Sequence, residues 1–206
     1  MLEIKLSEYL LIIEPDEQTK AKVLGFKQQF SILGCKNSSN SIPHLTISNF
    51  ISHPNIEEQI VGRIGNFLSD FSPLHILLNG FGTFSDKTIF VKLDNADYLI
   101  DMVSRFNNRF YSYLKCGKNL KPGFSLRPHV TIARQMTQDQ HKLLWPQWKD
   151  KFFTHSFNVS RLKLMKREID LINLKPLQSY QHVQYFGLSG KNLGFYKQGD
   201  LFAKNS

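Results

Sequence analysis

Hydrophobic and polar positions change rhythm from block to block along this chain. Tyr9 to Ile13 is a short apolar run between Glu8 and Glu14 and reads as a first strand. Pro15-Asp16-Glu17 has the form of a helix start, with Pro early and acids near the positive end of the helix dipole. Val23, Phe26, Phe30 and Leu33 follow at helical spacing, and residues 36–41 read as a polar loop. After Pro54, the residues Ile56, Ile60, Ile64, Phe67, Leu68 and Phe71 fall on one helical face, which is a core-packing pattern. Leu74 to Phe84 reads as a strand in which Gly80 and Gly82 suggest a bulge or a close backbone approach. Ser85-Asp86-Lys87 is a turn signal, and Thr88 to Leu93 the return strand of a hairpin.

A further helix is expected through Leu99, Met102, Val103, Phe106, Phe110 and Tyr113, followed by a basic loop over residues 115–126. Thr137 with Gln140 has the form of a capping box that opens another helix, which Pro146 is expected to kink or end. Phe157 to Leu164 alternates as a strand, with Phe157 and Val159 on one side. Final strands are expected around Leu171 to Leu174 and Tyr180 to Leu188, and residues 190–206 carry no clear signal. Strands and helices are mixed without the regular alternation of a doubly wound parallel sheet, so the fold class is α+β. At 206 residues the chain is long enough to bury a substantial core, and one domain of two lobes, residues 1–206, is expected.

Within this pattern one phrase occurs twice. Pro43-His44-Leu45-Thr46-Ile47 and Pro128-His129-Val130-Thr131-Ile132 differ only at Leu versus Val and lie 85 residues apart. Side chains alternate between the two faces of a strand. In each copy His and Thr therefore share one face, and the two aliphatic residues share the other. Composition alone yields the bare pattern His-x-Ser/Thr-apolar roughly 0.35 times in this chain, so a second copy with matched Pro and Ile is informative. The blander reading is a duplicated strand whose histidines are satisfied in the core. The functional reading is a cleft on which two imidazoles and two hydroxyls converge. The spacing suggests an internal duplication with one His strand in each half.

Charge changes the picture next. Net charge is +9, with basic residues gathered over 115–121, 142–151 and 161–167. Any one such run is most often a solvated face, but the total favours an anionic partner, nucleic acid above all. The two cysteines, Cys35 and Cys116, form no C-x-x-C pair, so there is no metal or redox framework and reduced thiols are the default. No apolar run is long enough to span a bilayer, and Tyr9 to Ile13 lacks the flanks of a signal peptide, so a cytoplasmic protein is expected.

Histidine titrates nearest neutrality, so one imidazole can act as base while its partner acts as acid. Placed on opposite sides of a phosphorus atom, two histidines suit in-line displacement. One takes a proton from the attacking water or hydroxyl, and the other protonates the leaving oxygen. The two Thr hydroxyls can hydrogen-bond the non-bridging oxygens. This chemistry requires neither metal nor cofactor.

The paired motifs resemble those of the two-histidine phosphoesterase superfamily, and most of all its 2′-5′ RNA ligase, or RNA 2′,3′-cyclic phosphodiesterase, family. The run from Arg127 to Arg134, with an Arg after the second motif, is the more specific match, and Gly80 to Phe84 with its hairpin is similar to the family's mid-chain segment. The resemblance implies two pseudo-symmetric antiparallel-sheet lobes flanked by helices around a central cleft. It implies opening of 2′,3′-cyclic phosphates of RNA ends or nucleotides to 2′-phosphates, with 2′-5′ ligation in some members. Carried over residue by residue, His44 and His129 are the catalytic pair, with His129 the base and His44 the acid, and Thr46 and Thr131 contact phosphate. The expected partner is RNA or a nucleotide bearing a cyclic phosphate, with no membrane and a monomeric state.

Arg127, at i−2 from His129, shares its strand face and is favoured for a phosphate contact by alternation; Arg134 is favoured by resemblance. A surface salt bridge is the ordinary role for either. Phe81, Phe84 and Phe124 lie near expected cleft edges and could stack on a base, although with 17 Phe in the chain most are core. His53, His75, His141, His155 and His182 lack the motif context and read as surface or core residues, without zinc-ligand spacing. The rival from another class is a non-catalytic RNA- or nucleotide-binding protein that uses the cleft as a phosphate pocket.

Overall fold

The computed structural model describes residues 5–35, 38 and 41–191. Most of the expected 36–41 loop and the segment after residue 191 lie outside the described residues. Strand β1 runs over Leu6–Ile13, three residues longer than its apolar run, and Asp16 caps helix α1, Glu17–Ile32, by accepting from the Thr19 N–H at 2.8 Å. Pro15 thus precedes the cap. Next come β2, Leu45–Ser52, helix α2, Glu57–Leu68, and the hairpin of β3, Leu74–Phe84, with β4, Thr88–Asp94. Ser85 and Asp86 both have positive φ in the connecting turn, and the β3–β4 register shifts between Leu78 and Phe81, beside the two glycines. Helix α3 covers Asp97–Leu114, with β5 at Gly123–Phe124 and β6 at His129–Ala133. Helix α4 covers Gln138–Trp148, followed by β7, Thr154–Val159, β8, Arg161–Ile169, and β9, Gln181–Gly187.

Among the described residues all strand pairs are antiparallel and join into one nine-stranded sheet of order β7-β3-β4-β6-β2-β1-β8-β9, with β5 beside β2. Two four-stranded halves meet at the middle, where β2 and β6 share a single ladder pair, Leu45 with Val130. The fold is α+β with two lobes related by a pseudo-twofold. The symmetry extends to the irregularities. Pairing of β2 with β1 skips Ile47, and pairing of β6 with β4 skips Ile132, the same position in each motif.

The helices cross over. Helix α1 follows β1 but packs on β6 and β7 of the other lobe, and α3 follows β4 but packs on β2. Phe67 of α2 meets Phe106 and Phe110 of α3 under the first lobe, while Trp148 of α4 meets Phe26 and Phe30 of α1 and Phe81 of β3 under the second. Each His strand therefore has its apolar side covered by a helix from the other half of the chain.

Four expectations are corrected. Phe157 to Leu164 is two strands broken at Ser160, where the chain passes from one lobe to the other. Residues 171–174 form no strand, because the Asp170 carboxylate accepts the N–H groups of Ile172 and Asn173 at 2.9 Å and closes a turn. The 115–126 loop contains β5, which pairs with β2 through Ser48 and Asn49. Pro146 does not stop α4, which runs two residues further to bury Trp148. The capping box is present, with Thr137 and Gln140 each accepting from the other's N–H at 3.2 and 2.9 Å.

Candidate active site at the junction of the lobes

The site follows from where β2 and β6 meet. Leu45, Ile47, Val130 and Ile132 are fully buried, so the opposite face of both strands carries His44, Thr46, His129 and Thr131, all partly exposed. An antiparallel register through Leu45 and Val130 sets His44 across from Thr131 and Thr46 across from His129. The repeated phrase thus brings its four polar side chains to one face at the seam between the lobes.

Both imidazoles are held in the same way. His44 Nδ1 lies 2.7 Å from the carbonyl oxygen of Ile42, and His129 Nδ1 lies 2.7 Å from that of Arg127. A carbonyl can only accept, so each Nδ1 carries the hydrogen, and Nε2 is the nitrogen left to exchange protons. Their surroundings differ. His129 sits against the rings of Phe84 and Phe90, with centroids 4.9 Å away in each case. His44 faces the cations Lys27 and Arg134, and His129 when that ring is protonated. Burial is the main cause that holds both imidazoles below the ordinary histidine pKa; these positive neighbours lower His44 further, and the carbonyl contacts oppose the shift.

A cavity of about 590 Å³ opens on the His44 side, lined by His44, Thr46 and Arg134 and, further out, by Glu8, Arg167 and Tyr180. His44, Thr46 and Arg134 are thereby brought together. His129 and Thr131 do not line this cavity, although His129 is near enough for its charge to act on His44. Arg127 is exposed, and its backbone carbonyl, rather than its guanidinium, touches His129. Alternation favours Arg127 only while the strand continues. The strand ends at Ala133, Gln135 has a φ of 55°, and Arg134 between them is released from the alternation.

Three of the four basic residues in the run 161–167 are already paired with carboxylates. Lys163 pairs with Glu14 at 3.0 Å, Lys166 with Glu57 at 2.8 Å, and Arg167 with Glu8. Phe81 packs into the interior and Phe124, half-buried, against Phe106, while Phe84 is the member of that trio beside an imidazole. His53, His75, His141, His155 and His182 stay outside the cleft lining. His141 approaches Thr83 Oγ1 at 2.7 Å, but that hydroxyl donates to the Thr88 carbonyl at 2.9 Å, so the imidazole is the donor and no nucleophile is activated there. No group of three or more metal-binding side chains occurs among the described residues, and no helix there is long and apolar enough to cross a membrane.

Glu8, Glu14, Tyr180 and Lys27 are not among the site residues expected from sequence. Of these Lys27 alone left a signal. Val23, Lys27 and Phe30 follow the i, i+4, i+7 pattern of the buried stripe of α1, which places a lysine where a hydrophobic residue belongs.

Comparison with known proteins agrees with this fold. A family model described as the 2′-5′ RNA ligase superfamily matches residues 16–170. A Bacillus pumilus protein named "Putative phosphoesterase" is 23% identical over 126 residues, which is 60% of this chain and 70% of that one. Among solved structures, TT0787 of Thermus thermophilus superposes with a TM-score of 0.57 at 17% identity, over 89% of this chain and 99% of the other. E. coli LigT in its apo form superposes with a TM-score of 0.58 at 10% identity, over 90% and 99% of the two chains. LigT has also been solved in complex with 3′-AMP, and that structure superposes with a TM-score of 0.57 at 9% identity, again over 90% and 99%. At these identities the structural likeness speaks for the fold.

Proposed function

The chain belongs to the 2′-5′ RNA ligase superfamily, and on that premise we propose that it is a metal-independent phosphodiesterase opening 2′,3′-cyclic phosphates of RNA ends or nucleotides to 2′-phosphates. The observation that carries the proposal is the pair of imidazoles at the lobe seam, each with Nδ1 committed to a carbonyl and Nε2 free. His129 takes the proton of the attacking water. The water oxygen bonds to phosphorus while the bond from phosphorus to the ribose 3′-oxygen breaks, and His44 protonates that oxygen. Thr46 and Thr131 donate to the non-bridging oxygens, and Arg134 offsets their charge. With an RNA 5′-hydroxyl in place of water the same step forms a 2′-5′ linkage. A complex of LigT with 3′-AMP supports a nucleotide-sized ligand for this fold.

We take the chain to act as one two-lobed unit, because each His strand needs the other half's helix to bury its apolar side. The direct test is hydrolysis of nucleoside 2′,3′-cyclic monophosphates in EDTA, with the product isomer identified. Turnover to the 2′-phosphate is expected. Salt-dependent RNA binding without turnover would instead point to a phosphate-binding protein.

The two arginines separate cleanly in this scheme. Arg134→Ala is expected to weaken binding of a phosphate-bearing inhibitor by roughly 10- to 100-fold, the range of a charge-assisted hydrogen bond. Arg127→Ala is expected to change it by less than about threefold, because Arg127 is exposed and does not line the cleft. Inhibition constants for the two variants check this, and the reverse order would transfer the phosphate contact to Arg127.

A further inference from the structure

Lys27 lies on α1 with only 2% of its surface exposed. Burying an ammonium is costly unless a partner compensates it. Its partners here are neutral: Nζ donates to the Ser41 carbonyl oxygen at 2.6 Å and lies 3.0 Å from Ser41 Oγ. No carboxylate lies within ion-pair distance of Lys27 or of Arg134 among the described residues. Burial, and then the Arg134 charge, push the ammonium down to a pKa of about 8.

Ser41 lines the cleft together with His44, and between them the Ile42 carbonyl fixes the His44 ring. The chain from Lys27 to Ser41, Ile42 and His44 is therefore a continuous support. Nothing comparable backs the second histidine among the described residues. The segment before His129 is tied by backbone bonds, Ser125 N–H to Ile47 O at 3.0 Å among them, and the ring rests on phenyl groups.

We infer that Lys27 is a positioning residue: its buried ammonium holds the Ser41–His44 segment in place and keeps beside His44 a positive charge that the phosphate of a bound substrate offsets. The inference rests on the proposed phosphodiesterase reading. The charged and titratable groups that act on His44 or line its cavity are Lys27 from α1, Arg134 after β6, His129 from β6, Glu14 at the end of β1, paired with Lys163, Glu8 of β1, paired with Arg167 of β8, and Tyr180 before β9. An anion that enters this group should favour protonated Lys27, so phosphate binding near pH 8 takes up a proton.

The test is Lys27→Met in the full chain. It removes the charge while keeping a flexible side chain of similar length. The expected result is a fall in kcat/KM of about tenfold or more, an alkaline limb of the pH profile displaced upward, and a melting temperature equal to or above that of the wild type. The upward displacement follows because His44 loses a neighbour that opposed its protonation. Activity within twofold of wild type overturns the inference, as does a loss of activity with unmoved pH limbs and a lowered melting temperature, which marks a merely structural lysine. Should the variant fail to fold, calorimetry of inorganic phosphate binding at pH 8 to the wild type and to Lys27→Arg, in buffers of different ionisation enthalpy, decides the matter: the wild type is expected to take up more protons than the variant, whose guanidinium is already charged, and equal uptake contradicts the role of Lys27. A wild-type chain that does not hydrolyse cyclic phosphates defeats the phosphodiesterase reading instead, and the phosphate calorimetry still judges Lys27 separately.

Discussion

His129→Ala is expected to lower kcat/KM for a 2′,3′-cyclic nucleotide by roughly 10²- to 10⁴-fold, and His44→Ala by a similar factor, the range for a positioned acid or base. Removing both should cost little more than removing either, because the two imidazoles serve one transition state as a unit. The pH profile separates them. In the wild type, activity falls on the acid side as the base becomes protonated and on the alkaline side as the acid loses its proton. Both histidines are held below the ordinary imidazole pKa, chiefly by burial. The optimum of kcat/KM, which reports the free enzyme, should therefore lie on the acid side of about 6.5. Each alanine variant should lose one limb, although the two limbs belong to the coupled pair rather than to single residues. Melting temperatures should hardly move, since both rings are partly exposed and neither belongs to the buried core. Near-wild-type rates in either variant would remove that histidine from the mechanism.

Trp148→Ala should be the most damaging change to stability, at about 3–5 kcal/mol. Trp148 is 4% exposed, and its ring lies 4.6 to 5.5 Å from those of Phe30, Phe81 and Phe26. Those contacts tie α4, α1 and β3 together beneath the second His strand. They also account for the helix that continues past Pro146. A domain of this kind has a total stability of about 5–15 kcal/mol, so the loss is a large fraction of it. Urea unfolding followed by circular dichroism measures the change, and a loss under about 1 kcal/mol would show that the aromatic cluster is not central to the lobe. Activity per folded molecule should survive, because Trp148 does not reach the cleft.

How much of this was legible in the chain depends on whether a feature was local. The helices α2 and α3 showed through their apolar spacing, the α4 start through Thr137 and Gln140, and the end of β3 through the turn residues Ser85, Asp86 and Lys87 that follow it. The two His strands were legible because a repeat of five residues carries its own geometry: alternation alone puts His and Thr on one side. Local pattern failed where long-range pairing decides. Ser160 carries no break signal, yet the chain changes lobe there, because β7 finds its partner in β3 and β8 finds its partner in β1. Gly123 and Phe124 become a strand only because β2 offers them an open edge. The apolar Leu171, Ile172 and Leu174 resemble a strand, but the Asp170 carboxylate offers their backbone a turn instead.

The partners of the basic run 161–167 were hidden for a related reason. Lys163, Lys166 and Arg167 look like a basic patch in sequence, while their carboxylate partners, Glu14, Glu57 and Glu8, are more than 100 residues away. The same limit applies to Arg134. Its place beside His44 depends on the strand ending one residue earlier, and nothing in the sequence marks that end. Lys27 is the instructive exception. A lysine on the buried stripe of a helix is visible as an anomaly in sequence, and only the fold shows that it stands behind the first histidine.

Whether both imidazoles serve one phosphate is decided by a crystal structure of the protein soaked with a nucleoside 2′-phosphate. Nε2 of His44 and Nε2 of His129 are expected to lie within hydrogen-bond distance of oxygens on the same phosphorus, with Thr46, Thr131 and Arg134 around it. A phosphate that touches one histidine alone, or that binds elsewhere with both rings unoccupied, would contradict the shared site.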